Sequence, residues 1–222
     1  MEAQQQSFHD YRKFVQGHYD GIAGALTSVS GWLTGHESLA GRVINPDAFD
    51  VRGCKNILDA ACGNGRYSKF LLRQADPDAR ITAFDLSQQM LKRASKRPGA
   101  ERVSHVAADL TRLPYADASF DAVVCGWVLE HLPDPRPGLE SLARVLKPGG
   151  KLLLLTTEDS LTGRSCGRMW HCRTYTRAEL REVCKECGFE WARELWFSRF
   201  HAWFRMGGII VELRRQPAPI PA

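Results

Sequence analysis

Hydrophobic positions in this chain follow two recurring arrangements. Compact apolar runs at 55–60, 80–85, 102–107, 120–126 and 151–156 have the length and residue types of strands. Between them, at 66–75, 87–97 and 136–146, apolar residues recur every three or four positions, the spacing of one helix face. Ser87 stands where the second of these helices needs an N-cap. Alternating strands and helices with short connections predict a parallel sheet covered on both faces. Lys147-Pro-Gly-Gly150 stops the helix at 136–146 and turns the chain into Lys151-Leu-Leu-Leu-Leu-Thr156, the run expected of a buried central strand.

The pattern changes after Thr157. A loop rich in Gly, Ser, Arg and Cys leads to a helix at 177–187, then to strand-like runs near 189–197 and 207–214 that are expected to pair antiparallel. Upstream, residues 4–42 read as a helical lead-in ending at the break Asn45-Pro46. Residues 217–222 read as a loose proline-rich tail, and no internal repeat is visible.

Composition narrows the class. The 222 residues, 44% apolar and 25% charged, suit one domain with a small cap. The net charge of +5, from 30 basic against 25 acidic residues, is spread along the chain and too mild to imply nucleic acid. Seven cysteines, at 54, 62, 125, 166, 172, 184 and 187, are an odd count set within apolar patterns, which favours a reduced, cytoplasmic protein. Met1-Glu-Ala-Gln-Gln-Gln6 has no basic and apolar leader. The most apolar stretch, 195–213, is interrupted by Arg199, His201, Arg205 and Glu212, so no membrane span is expected.

Candidate chemistry gathers at strand ends. Asn56-Ile-Leu-Asp-Ala-Ala-Cys-Gly-Asn-Gly-Arg-Tyr67 is a strand that ends on a carboxylate and breaks into a turn carrying Gly63 and Gly65. Glycine lets a backbone bend sharply and lie against a ligand with no side chain between. Asp85, twenty residues past Gly65, closes the next strand at the spacing of an acid that accepts ribose hydroxyls. In an open parallel sheet the ligand sits beyond the carboxyl ends of the strands. That rule collects Asp59 to Gly65, Asp85, Asp109 and the residues after Cys125 on one rim. Asp85 and Asp109 have a plainer reading as turn or N-cap carboxylates.

With Leu58-Asp-Ala-Ala-Cys-Gly-Asn-Gly65, Phe84-Asp-Leu-Ser87, Ala108-Asp-Leu110, Leu113-Pro-Tyr-Ala-Asp-Ala-Ser-Phe-Asp121 and Leu142-Ala-Arg-Val-Leu-Lys-Pro-Gly-Gly150, the sequence resembles the class I S-adenosylmethionine-dependent methyltransferases. Within them it is similar to the type 11, ubiquinone/menaquinone methyltransferase-like group. The resemblance covers about residues 55–156. It implies a Rossmann-like α/β fold, a seven-stranded mostly parallel sheet with helices on both faces, an antiparallel terminal strand and an N-terminal helical lid. It divides the chain into lead-in 1–46, methyltransferase domain 47–216 and tail 217–222.

The same resemblance assigns Asp59, Ala61, Gly63 and Gly65 to the methionine moiety of S-adenosyl-L-methionine. It gives Asp85 to the ribose, Leu86 and Met90 to the surroundings of the adenine, Asp109 and Leu110 to the adenine edge, and Gly126 and Trp127 to the segment that runs past the cofactor. Ala61 stands where the family has its first glycine and is expected to keep φ below zero. The lead-in segment Phe14-Val-Gln-Gly-His-Tyr-Asp20 is similar to the covering helix of quinone methyltransferases. The insertion that covers substrate in those enzymes is shorter here, which counts against a quinone itself.

Methyl transfer from a sulfonium needs chiefly collinear, dry positioning, and needs a general base only when the acceptor must lose a proton. His131 and Tyr19 are the candidates carried forward, His131 against an orienting role in its loop and Tyr19 against a simple lid contact. His18, His171 and Tyr175 are further ones. The acceptor reads as a small, moderately apolar molecule: quinol, phenol, amine or lipid-like.

Other constellations read more plainly. Cys184-Lys-Glu-Cys187 has ligand-like spacing, but Leu180, Val183, Cys184 and Cys187 form one helical stripe, so core packing is expected and no metal. Packing is likewise expected of Cys62 and Cys125. The aromatic and basic stretch Trp191 to Arg205 reads as a β-hairpin with inward aromatics, with peripheral membrane contact as its alternative. A nicotinamide-dependent oxidoreductase would need glycine at position 68, where Ser stands. A non-catalytic S-adenosylmethionine-binding module is the other alternative.

Overall fold

A computed structural model of the chain describes residues 36–170, 172–204 and 208–217, with Asp10, Lys13 and Gly17. Most of the expected lead-in, His18, Tyr19 and His171 therefore lie outside the described residues. The last stretch of the lead-in is helix α1 (His36–Val43).

The alternation read from hydrophobic spacing is realised as β1 (Asn56–Ala60), α2 (Ser68–Gln74), β2 (Arg80–Asp85), α3 (Gln88–Ala94), β3 (Val103–Ala107), β4 (Phe120–Gly126), α4 (Arg136–Val145) and β5 (Leu146–Thr156). Two helices, α5 (Leu161–Trp170) and α6 (Arg177–Glu186), follow. Strand β6 (Phe189–Glu194), helix α7 (Arg199–Phe204) and strand β7 (Ile209–Arg215) complete the described chain.

The strands form one sheet in the order β3-β2-β1-β4-β5-β7-β6. Strands β1 to β5 pair in parallel, and β7 is antiparallel to both β5 and β6. From β1 the chain builds outward through β2 and β3, then returns to the other side of β1 with β4 and β5. The order therefore reverses between β1 and β4, where open α/β sheets bind ligands.

Side chains alternate across the sheet, so its two faces carry two cores. One face takes Leu58, Val123, Leu152 and Leu154 with Leu139 and Leu142 of α4 and Leu180 of α6. The other takes Ile57, Val124, Leu153 and Leu155 with Val43 of α1 and Leu71 of α2. Each of these side chains is fully buried, and each such burial stabilises by about 1.5–3 kcal/mol. Cys184 and Cys187 are buried in the first core, beside Leu180 and Val183.

At the amino edge, Asp121 ties elements together. Its Oδ2 accepts from the backbone N–H groups of Lys55 and Asn56, and its Oδ1 from Lys147 Nζ. The Lys147-Pro-Gly-Gly150 segment bulges out opposite Asp121, since Phe120 pairs with Leu146 and Ala122 with Lys151.

Two expectations need correction here. The loop after Thr157 contains α5, whose Gly163 and Gly167 lower helix propensity and hide it in the sequence. The stretch 191–205 is not a hairpin of inward aromatics. Strand β6 ends at Glu194, Phe197 is buried, and α7 carries Phe200 and Trp203 exposed, at 60% and 83%. Six residues are too few for apolar periodicity to announce a helix. No helix among the described residues is long and apolar enough to cross a membrane.

Candidate active site

Strand β1 carries an acid into the interior. Asp59 lies level with Ala83 of β2 and Val124 of β4 and is fully buried. Ser68, in the first turn of α2, donates to its Oδ2 at 2.5 Å, while Oδ1 has no hydrogen-bond partner among the described residues. Burial pushes this carboxyl up to about 7, and the charge of Asp85 adds to the rise while Ser68 opposes it.

The turn beyond β1 is left-handed at three positions: Ala61 at φ +53°, Gly63 at +54° and Gly65 at +80°. For Ala61 this overturns the expected negative φ. The chain reverses here so that the Cys62 N–H reaches the Phe84 carbonyl at 2.8 Å and the Gly65 N–H reaches the Cys62 carbonyl at 2.9 Å. The Ala61 methyl is strained in that geometry by about 1–2 kcal/mol. A Cβ at Gly65 would lie 3.2 Å from the Ala94 Cβ, so this position seats α3 against the turn. A Cβ at Gly63 would meet nothing within 4 Å among the described residues, which leave the turn open there. Arg97 closes the turn from behind, donating to the Asn64 carbonyl at 2.6 Å.

Asp85 ends β2 almost fully buried. Its Oδ2 accepts the Gly63 N–H at 2.7 Å and its Oδ1 the Ser87 N–H at 2.8 Å. These two backbone bonds orient the carboxylate at the strand end. Ser87 caps α3 as expected, accepting from the Met90 N–H at 3.1 Å. Met90 is buried and Leu86 half-buried behind this acid.

After β3, Asp109 closes its own turn, with Oδ1 accepting both the N–H and the hydroxyl of Thr111. That is the plainer of the two sequence readings for this oxygen. Leu110 is buried against Gly138.

At the exit of β4, a Cβ on Gly126 would lie 2.5 Å from the Tyr67 ring, so only glycine fits under that ring. Trp127 follows at φ +60°, a region bulky residues rarely adopt. Three contacts hold it there. Its N–H donates to the Leu155 carbonyl at 2.9 Å, its side chain hydrogen-bonds Tyr67, and its ring lies so close to Gly208 that a Cβ there would be 2.8 Å away. His131 ends the one-turn helix Leu129–His131 that follows, partly exposed.

Sequence reasoning missed Glu130. It is 4% exposed, and its two oxygens accept from the hydroxyls of Thr156 and Thr157, both at 2.9 Å. Burial pushes this carboxyl up to about 7, against the pull of those hydrogen bonds. A glutamate between His131 and an apolar run reads as a surface residue, and only the fold brings the tip of β5 against it. Cys62 and Cys125 are buried thiols pushed well up by desolvation, with no sign of reactivity.

The structure thus brings together Asp59, Ala61, Gly63, Gly65, Asp85, Gly126 and Trp127 at the switch point, with Asp109 and Leu110 two strands away on the same rim. A family model described as a methyltransferase domain matches residues 58–154, the span that holds every one of these residues. Residues 58–154 form a methyltransferase domain of the class I, type 11 group. The methyl donor of that group is S-adenosylmethionine.

Over 141 residues the chain is 36% identical to the demethylmenaquinone methyltransferase of Clavibacter sepedonicus, a match covering 63% of this chain and 56% of that protein. It is 33% identical over 160 residues to the malonyl-[acyl-carrier protein] O-methyltransferase of Hahella chejuensis, covering 67% and 56%. The chain therefore spans little more than half the length of these curated relatives. Among solved structures, a chain of the complex between the Haloferax volcanii Trm112 methyltransferase activator and a methyltransferase superposes with a TM-score of 0.72 at 20% identity, covering 94% of this chain and 100% of that one. At that identity the likeness shows the fold.

Proposed function

We propose that this chain moves a methyl group from S-adenosylmethionine to a small, moderately apolar acceptor. The observation that carries the reading is the orphaned, fully buried Asp59 Oδ1 beside a left-handed turn that the described residues leave open at Gly63. A buried carboxylate oxygen with no partner is costly unless a donor arrives, and a ligand ammonium supplies one. The donor set therefore fits an amino-acid-bearing nucleoside.

When bound, the cofactor supplies an electrophilic methyl carbon. The protein's share is placement and exclusion of water. In this reading the turn Ala61 to Gly65 and Asp59 hold the methionine portion. Asp85, oriented by the Gly63 and Ser87 N–H groups, accepts the ribose hydroxyls. Leu86 and Met90 flank the adenine, Asp109 and Leu110 meet its edge, and Gly126 with Trp127 forms the wall on the acceptor side. His131 is the candidate proton acceptor on that wall for acceptors that ionise during attack. Tyr19 is the candidate lid residue.

The matched relatives are named for a quinone precursor and for an acyl-carrier-bound carboxylate. The two named acceptors differ in class, which supports leaving the acceptor open among quinols, phenols, amines and lipid-like acids. Ser68 speaks against nicotinamide dinucleotides. It stands at the third glycine position of their fingerprint, is buried, and donates to Asp59.

Titration calorimetry with S-adenosylmethionine and with NAD tests the cofactor, and release of S-adenosylhomocysteine across those acceptor classes tests turnover. Binding of S-adenosylmethionine without NAD is expected, followed by product with at least one acceptor. Tight NAD binding would overturn the reading, and cofactor binding without turnover on any acceptor would leave a binding module.

A further inference from the structure

Two buried carboxylates flank the exit of β4, and neither has an ion-pair partner among the described residues. Asp59 lies under it from β1. Glu130 lies beyond it, with both oxygens taken up by neutral threonine hydroxyls. Tyr67 and Cys125 sit within electrostatic reach of both acids. Ionising a carboxylate in such surroundings is costly when only neutral donors face it. A cation brought to this rim would lower that cost, and the ligand expected here is a sulfonium. Loss of its methyl leaves a neutral thioether of nearly the same shape.

Resting on the methyltransferase reading above, we infer that Glu130 is a specificity-determining residue whose buried charge favours the cationic sulfonium cofactor over its neutral thioether product. The residue reaches the ligand through the field rather than by contact. Its carboxylate also joins the loop bearing His131 to Thr156 and Thr157 at the tip of β5, so its position is fixed. The other titratable groups facing it are Tyr67 ahead of α2, Cys125 on β4, Cys166 on α5, and Cys172 and Tyr175 ahead of α6. Burial pushes all five up, so they stay neutral near pH 7, and Glu130 shares the rim with Asp59 and with the adjacent His131. Arg173, whose N–H donates to the Glu130 carbonyl, turns its guanidinium onto Tyr175 and Glu179.

The test compares three probes on the full chain by titration calorimetry: S-adenosylmethionine, S-adenosylhomocysteine, and sinefungin, whose amine is cationic where the product is neutral. In the Glu130→Gln variant the Kd of S-adenosylmethionine and of sinefungin is expected to rise on the order of five- to ten-fold, with S-adenosylhomocysteine changed less than about two-fold. An equal loss for all three marks a merely structural role and overturns the inference.

If the variant does not fold, the wild type decides. The preference for S-adenosylmethionine over S-adenosylhomocysteine should grow several-fold from pH 6 to pH 8 as the carboxyls ionise, and a flat preference overturns the inference. Failure of the wild type to bind any of the three probes would instead sink the methyltransferase reading on which it rests.

Discussion

Ala61 holds a backbone angle that glycine adopts freely and alanine resists. Ala61→Gly should relieve that strain and raise stability by about 1 kcal/mol, less the glycine's extra unfolded-state freedom, as read by urea unfolding. A loss of stability would show that the methyl contributes packing the turn needs. Gly126→Ala goes the other way. Its new methyl would lie 2.5 Å from the Tyr67 ring, and unfolding should be easier by about 1–3 kcal/mol, with the indole fluorescence of Trp127 shifted as its partner moves. The glycines and acids of the rim were legible because their spacing follows from strand and turn lengths. The sign of φ at Ala61 was not, because it depends on where the returning chain finds Phe84. Glu130 was illegible for a similar reason: its partners Thr156 and Thr157 lie 26 and 27 residues on.

Elements with strong punctuation were readable to within a few residues. β2 and β4 fall where the apolar runs place them, and α3 begins at its serine cap. Ser87→Ala removes the acceptor for the Met90 N–H and should cost about 1 kcal/mol by chemical denaturation. The Ser87 N–H that orients Asp85 is kept, so cofactor affinity should fall less than in Asp85→Asn. Equal losses would mean that α3 as a whole positions the acid. The elements that escaped, α5 and α7, each follow a capping serine, Ser160 and Ser198, but expose their apolar residues and so show no buried stripe in the sequence. Leu161 and Met169 of α5 and Phe200 and Trp203 of α7 are the large apolar side chains exposed among the described residues. Reading 191–205 as inward-facing assumed that aromatics seek the core, which surface composition does not guarantee.

For the whole molecule, the two raised carboxyls set a pH trend. Asp59 and Glu130 hold protons in the folded protein up to about pH 7, whereas the unfolded chain releases them near pH 4. Their stabilising contribution is therefore complete below pH 4 and is lost as pH rises through 7. Asp50, Asp78, Asp121 and Asp159 are shifted below the usual carboxylate range, so their contributions are already in place above pH 4 and do not offset this loss. The melting temperature without ligand is expected to fall between pH 5 and pH 8, and the fall should shrink in the Asp59→Asn and Glu130→Gln double variant. Identical pH curves for the two proteins would show that neither group titrates in that window.

The sheet order carries a last consequence, for how the chain is made. Strand β7 is synthesised after β6 yet lies between β6 and β5, pairing Leu152 to Leu155 with Leu213 to Ile210. Until residues 209–215 are made, β5 presents a bare apolar border and β6 lacks its strand partner. A message truncated before codon 209 should therefore yield a product that self-associates through that border rather than a shortened but soluble one.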